Sequence, residues 1–179
     1  MRLPSFTREG LLPPGDYELT LKELRRSPLV LGAGRPGWDG AWRMQLVDNL
    51  AILAGQLGRV GIREIFIGGS FVEAVNHPND IDGYFVCHPR EIENGELAQN
   101  LNRLDPDQVW TWETSRREWS AISSKLELPM WHRYRVELYP DLGQPSGIRD
   151  PSGKEFNFPD AFRWSRLLRR PRGIIKIGG

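Results

Sequence analysis

The chain has 179 residues, a length that suits one domain; two would each be small and poorly cored. Lys and Arg number 24 against 23 Asp and Glu, so the net charge of +1 gives no global attraction to nucleic acid or to a membrane surface, and such a role needs a local patch. The single cysteine, Cys87, excludes an intrachain disulfide and a cysteine zinc cluster; with no apolar core of signal length near the start and no stretch approaching the roughly 20 apolar residues of a membrane span, a reducing cytoplasm with no membrane partner is expected.

Residues 1–16 are rich in Pro and Gly and read as an extended N-terminal arm with a turn at LPPG, 12–15. Leu19, Leu21 and Leu24 predict a short helix over 20–26, which Pro28 stops. After a loop, Trp42, Leu46, Leu50, Leu53 and Leu57 recur at spacings of three and four and predict a long helix with one core-facing stripe, ended by Gly58 and Gly61. IREIFIG and IDGYFVC read as short strands. PREIENGELAQNLNRLDP reads as one helix with a glycine inside it. For DQVWTWETSRREWSAISSKL, a strand beginning at Val109, Trp110 and Trp112 and a helix over 114–126 are the two readings. Val136 and Leu138 alternate with Arg135, Glu137 and Tyr139, which predicts a strand; a loop or hairpin follows. DAFRWSRLLRR reads as a helix capped by Asp160, and GIIKIGG as a terminal strand. This order gives a mixed α+β (α/β) class, with a central mixed sheet flanked by helices in one domain, 1–179.

The chemistry concentrates in FIGGSFVEAVNHPNDIDGYFV, 66–86. Asp82-Gly83 read alone is a tight hairpin turn with idle carboxylates. In context, Gly68, Gly69 and Ser70 follow a strand, where a glycine pair lets backbone N–H groups approach a phosphate. Asp80 and Asp82 then fall on one face of the next strand and repel each other unless a hard divalent cation such as Mg²⁺ or Mn²⁺ sits between them. Glu137, on a later strand between apolar neighbours, is the candidate third carboxylate.

A Gly-Ser turn, a spacer over 71–79, the Asp80–Asp82 strand and a further acidic strand residue together resemble the nucleotidyltransferase superfamily that includes DNA polymerase beta. With the early LLPPGDYELTLKEL and the closing GIIKI, the chain looks like a small bacterial and phage branch of it. The resemblance implies a nucleotidyltransferase fold and transfer of a nucleoside monophosphate from an NTP to a hydroxyl, with pyrophosphate released. It implies two Mg²⁺ or Mn²⁺ ions on Asp80, Asp82 and Glu137, and a triphosphate at Gly68, Gly69 and Ser70. It further implies an acceptor on RNA (a tRNA end) or on protein, and a toxin–antitoxin or phage-defence setting with a cognate partner. Two departures stand out: Gly83 follows the second aspartate where that family is usually hydrophobic, and the third acid is Glu137 rather than aspartate, with Asp141 as a fallback. Gly83 keeps open an alternative, a binding or regulatory protein on the same fold.

Other candidates are looser. VWTWETSRREW offers aromatic stacking with Arg116 and Arg117, or simply core tryptophans with solvated arginines. Arg163, Arg166, Arg169, Arg170, Arg172 and Lys176 form the one local basic run, read as an RNA or triphosphate patch or as a solvated helix face. Lys154 in PSGKEF is a candidate phosphate contact. His77, His88 and His132 lack ligand spacing; His77 is a turn residue or borders the acceptor, and Cys87 is expected to be buried and inert.

Overall fold

The computed structural model describes residues 3–178; the first two residues of the expected arm lie outside them. Residues 3–15 form no helix or extended strand, but Leu3, Leu11 and Leu12 are buried and Leu11 bridges Glu73. Strand β1 (Asp16–Thr20) runs into helix α1 (Leu21–Arg25). The sequence predicted a helix over 20–26 and no strand here. Thr20 explains the boundary: its side chain caps α1 in a reciprocal box with Glu23, so the helix starts one residue later and the extended residues before it find a distant partner. Pro28 does not merely stop α1; it opens a second helix, α2 (Pro28–Leu31), where its missing N–H costs nothing.

Helix α3 (Gly40–Arg59) starts where Asp39 accepts the Trp42 N–H at 2.9 Å, and it buries Leu46, Leu50, Leu53 and Leu57 as its spacing predicts. It runs through Gly58. Strand β2 (Ile65–Gly68), a single 3-10 turn (Gly69–Val72) and strand β3 (Ile81–Val86) follow. The predicted glycine-containing helix splits at Gly95, φ +72°, into α4 (Pro89–Glu93) and α5 (Glu96–Asn102).

Residues 109–127 are neither of the two predicted forms. Val109 and Trp110 are buried outside any strand, and a hairpin of β4 (Glu118–Ser120) and β5 (Lys125–Glu127) follows. Helix α6 (Pro129–Tyr134), strand β6 (Val136–Asp141) and the hairpin β7 (Pro145–Arg149) with β8 (Glu155–Asn157) come next. The helix expected after Asp160 is instead α7 (Phe158–Ala161), with Asp160 inside it. The basic run beyond pairs as β9 (Trp164–Ser165) with β10 (Arg170–Pro171). Strand β11 (Ile174–Gly178) ends the chain.

The class is mixed α+β around a five-stranded sheet in the order β1-β11-β2-β3-β6, parallel at both outer pairs and antiparallel within. Alternation assigns its faces. Ile65, Ile67, Ile81, Phe85, Val136, Leu138, Ile175 and Ile177 join the leucines of α3 in one core. The residues between them take the other face, including Asp82 and Glu137. Among the described residues no helix is long and apolar enough to cross a membrane.

Candidate functional site

Asp82-Gly83 is not a turn. Both residues lie inside β3, and Asp82 stands in register with Gly68 of β2 on one side and Glu137 of β6 on the other. Gly83 has a structural cause: a Cβ there would collide with the Phe66 carbonyl oxygen and lie 2.9 Å from Leu138 Cδ2. Gly69 has another. Its φ is +67°, and a Cβ would lie 2.7 Å from Asp82 Oδ2, so the Gly-Ser turn is folded directly onto the aspartate.

These residues line one cavity of about 470 Å³. Gly69, Ser70, Asp80, Asp82 and Glu137 are all on its wall; Gly68 is buried behind it, where a Cβ would meet Phe162. Lys154 is elsewhere, exposed beside a second recess with Asp160 and Arg163. Asp141 is not on the wall; it accepts the Gly143 N–H at 3.0 Å. Of the basic run, Arg166 and Arg172 reach the cavity. Arg163 is held by Asp16 and Tyr84, Arg170 by Glu9, and Lys176 by Glu18 and Glu64. The run therefore does not form one patch.

Asp80 and Glu137 are fixed by hydrogen bonds. Asp80 Oδ2 accepts the Trp131 Nε1–H at 2.7 Å. Glu137, 5 % exposed, accepts the Leu128 N–H at 3.0 Å and the Tyr139 hydroxyl, with Arg117 3.8 Å away. Arg117 also lies 3.9 Å from Glu127, a fourth carboxylate on the wall, and donates to Tyr139 Oη at 2.9 Å and to the Leu126 carbonyl at 2.9 Å. Burial raises the pKa of Asp80 and Glu137; burial, then Asp80 and Glu137, push Asp82 up to about 7. Arg166 and Arg172 pull it the other way.

The Gly-Ser side is clamped twice. Arg172, 7 % exposed, donates to the Gly69 carbonyl at 2.9 Å and to Glu73. Arg43 of α3 is fully buried, with no acidic partner among the described residues. Its guanidinium donates to the carbonyls of Leu29, Phe71, Glu73 and Val75 at 2.5–3.1 Å and stacks over Trp38 at 3.9 Å. Burial lowers its pKa to about 9. The segment 71–75 between Ser70 and Asp80 is thus held by its backbone.

A family model matches residues 4–178. The chain belongs to the family of unknown function DUF6932. Comparisons with curated proteins and with solved structures gave no match. For this DUF6932 member the site must therefore be read from its own groups.

The donor chemistry suits a hard divalent cation: carboxylates on one cavity wall, one of them with a pKa raised by burial and then by its acidic neighbours. Among the described residues, however, no three His, Cys, Asp or Glu side chains are gathered at ligand spacing. Trp131 holds Asp80, and Leu128 and Tyr139 hold Glu137. The DUF6932 chain thus carries the right ligand types, with Asp80 and Glu137 engaged by protein donors.

Sequence reasoning missed Glu127, Tyr139, Trp131 and Glu73. Glu127 had the same signal as Glu137, an acid between aliphatic residues, but a helix reading of 114–126 hid it. Arg117 meets Glu127 and Glu137, Trp110 is core, Trp112 donates to the Leu138 carbonyl, and Trp119 is 64 % exposed. His77 stacks on Trp42 and pairs with Asp39 at 2.9 Å; His88 caps α4, and His132 meets the Glu118 carbonyl. Cys87 is half-buried, with its thiol pKa raised to about 11, chiefly by burial.

Proposed function

We propose that the DUF6932 cavity is the active site of a nucleotidyltransferase-like fold that moves a nucleoside monophosphate from an NTP to an acceptor hydroxyl. The observation that carries this is the side-by-side register of Asp82 and Glu137 under the Gly69-Ser70 turn. The acceptor oxygen would form a bond to the α-phosphorus, the bond to the bridging oxygen would break, and pyrophosphate would leave. Glu137, with its raised pKa, suits reception of the hydroxyl proton. Ser70, Arg166 and Arg172 line the same cavity and suit the triphosphate, chiefly by position and charge. A divalent cation, Mg²⁺ or Mn²⁺, held by Asp80 and Asp82 with Glu137, would neutralise developing charge and activate the attacking oxygen.

The test is incubation with each NTP labelled at the α-phosphate, Mg²⁺ or Mn²⁺, and either total tRNA or lysate protein. Label transferred to RNA or to protein supports the reading and names the acceptor class; no transfer to either with any NTP refutes it. The engagement of Glu137 by Leu128, Tyr139 and Arg117 favours a second reading, a binding or regulatory protein on this fold. Nucleotide binding without transfer of label would select it.

A further inference from the structure

One side of the cavity is not explained by acids and phosphates. Phe158 and Phe162, at the start and just past the end of α7, line it with Ile148 of β7. Both rings are only partly buried. They meet edge to face, 5.2 Å between centroids at 77°, and Phe158 meets Tyr139 at 5.3 Å and 73°. Tyr139 in turn donates its hydroxyl to Glu137, so the aromatic wall begins where the acids end.

The wall is rigidly mounted. The Phe158 N–H donates to the Gln144 carbonyl at 2.9 Å, and the Phe162 carbonyl accepts Arg172 Nε–H at 3.1 Å. The bare Cα of Gly68 admits Phe162 close to β2, since a Cβ there would lie 3.2 Å from the ring. Arg172 thus ties one end of the wall to the Gly69 carbonyl. Two ordered aromatic surfaces opening on a charged cavity match a ligand with a planar apolar part joined to an anionic one. A polyphosphate alone has nothing to set against them.

We propose that Phe158 and Phe162 form a base platform, so that the cavity selects nucleoside triphosphates by stacking and discriminates against base-free polyphosphate. This rests on the nucleotide reading of the cavity. The test is calorimetric titration of the full chain, with magnesium chloride present, using the four NTPs and inorganic tripolyphosphate. At least one NTP is expected to bind about tenfold more tightly than tripolyphosphate. Phe158→Leu keeps apolar volume and removes the flat face; it is expected to weaken that NTP about fivefold or more and to leave tripolyphosphate unchanged, while Phe158→Trp retains the preference. Phe162→Leu is read the same way should the first variant lose its circular dichroism. Equal wild-type affinity for tripolyphosphate and the NTPs, or unchanged NTP affinity in the leucine variants, overturns the platform alone. Failure of every NTP and of tripolyphosphate to bind the wild type overturns the nucleotide reading as well.

Discussion

Asp82 of β3 and Glu137 of β6 are direct register partners across a parallel strand pair, both on the sheet face opposite α3. Burial of Asp82, and after it the adjacent carboxylates, oppose its ionisation, with a measurable consequence. The Asp82 carboxyl titrates at about 7 in the folded chain and near 4 in an unfolded one. Between those values the folded state holds a proton that the unfolded state has released, so stability falls as pH rises from about 4 to 7. Asp82→Asn removes that loss. The variant should lose nucleotidyl transfer, yet unfold in urea about 1–2 kcal/mol later than the wild type at pH 8 without divalent ions, with the gain shrinking toward pH 4. Lower stability of the variant at pH 8 would contradict a buried, opposed charge at Asp82.

Gly83 is set by strand packing. Alanine would press on the Phe66 carbonyl and on Leu138, neither of which has room to retreat within the sheet. Gly83→Ala should cost about 1–3 kcal/mol, seen as a lower melting temperature. A neutral effect would mean that β2 and β3 separate more readily than their register implies.

Arg43 holds four carbonyls, with no counter-ion among the described residues. Arg43→Met should lower stability by more than about 3 kcal/mol, because those carbonyls stay buried and lose their donor. Arg43→Lys should recover only part, since an ammonium cannot reach four acceptors in one plane. Denaturant unfolding of both variants measures the difference. Hydrogen exchange should show faster opening of residues 71–75.

Cys87 should be a slow thiol. With a pKa near 11 instead of the usual 9, its thiolate fraction at pH 8 is lower by about a hundredfold. Alkylation by iodoacetamide should be slow at pH 8 and accelerate through pH 11. Rapid labelling of the native chain at pH 8 would refute the burial effect.

The long helix was legible because five apolar residues from Trp42 to Leu57 recur at spacings of three and four. The strands at 65–68, 81–86 and 136–141 were legible from short apolar alternation, and Asp80, Asp82 and Glu137 came with them. Strand β1 was not, because its partner lies at the far end of the chain and local pattern carries no trace of it. Residues 158–171 misled for a different reason. Their arginines suggest a helix face, yet Arg163 and Arg170 are bound to remote acids, Asp16 and Glu9. The aromatic wall was invisible for the same cause, since Phe158 reaches Tyr139 only after β6 and α7 are packed.

The hairpin of β4 and β5 has no large core of its own. Its base is moored by Arg117, which meets Glu137, and by Leu128, whose N–H ends on the same carboxylate. Anything that draws Glu137 inward therefore loosens the mooring and is felt across the hairpin, where Trp119 projects into solvent beside Leu126. With Trp131 hydrogen-bonded to Asp80 as well, indole emission is expected to change when the cavity fills, before any product is formed.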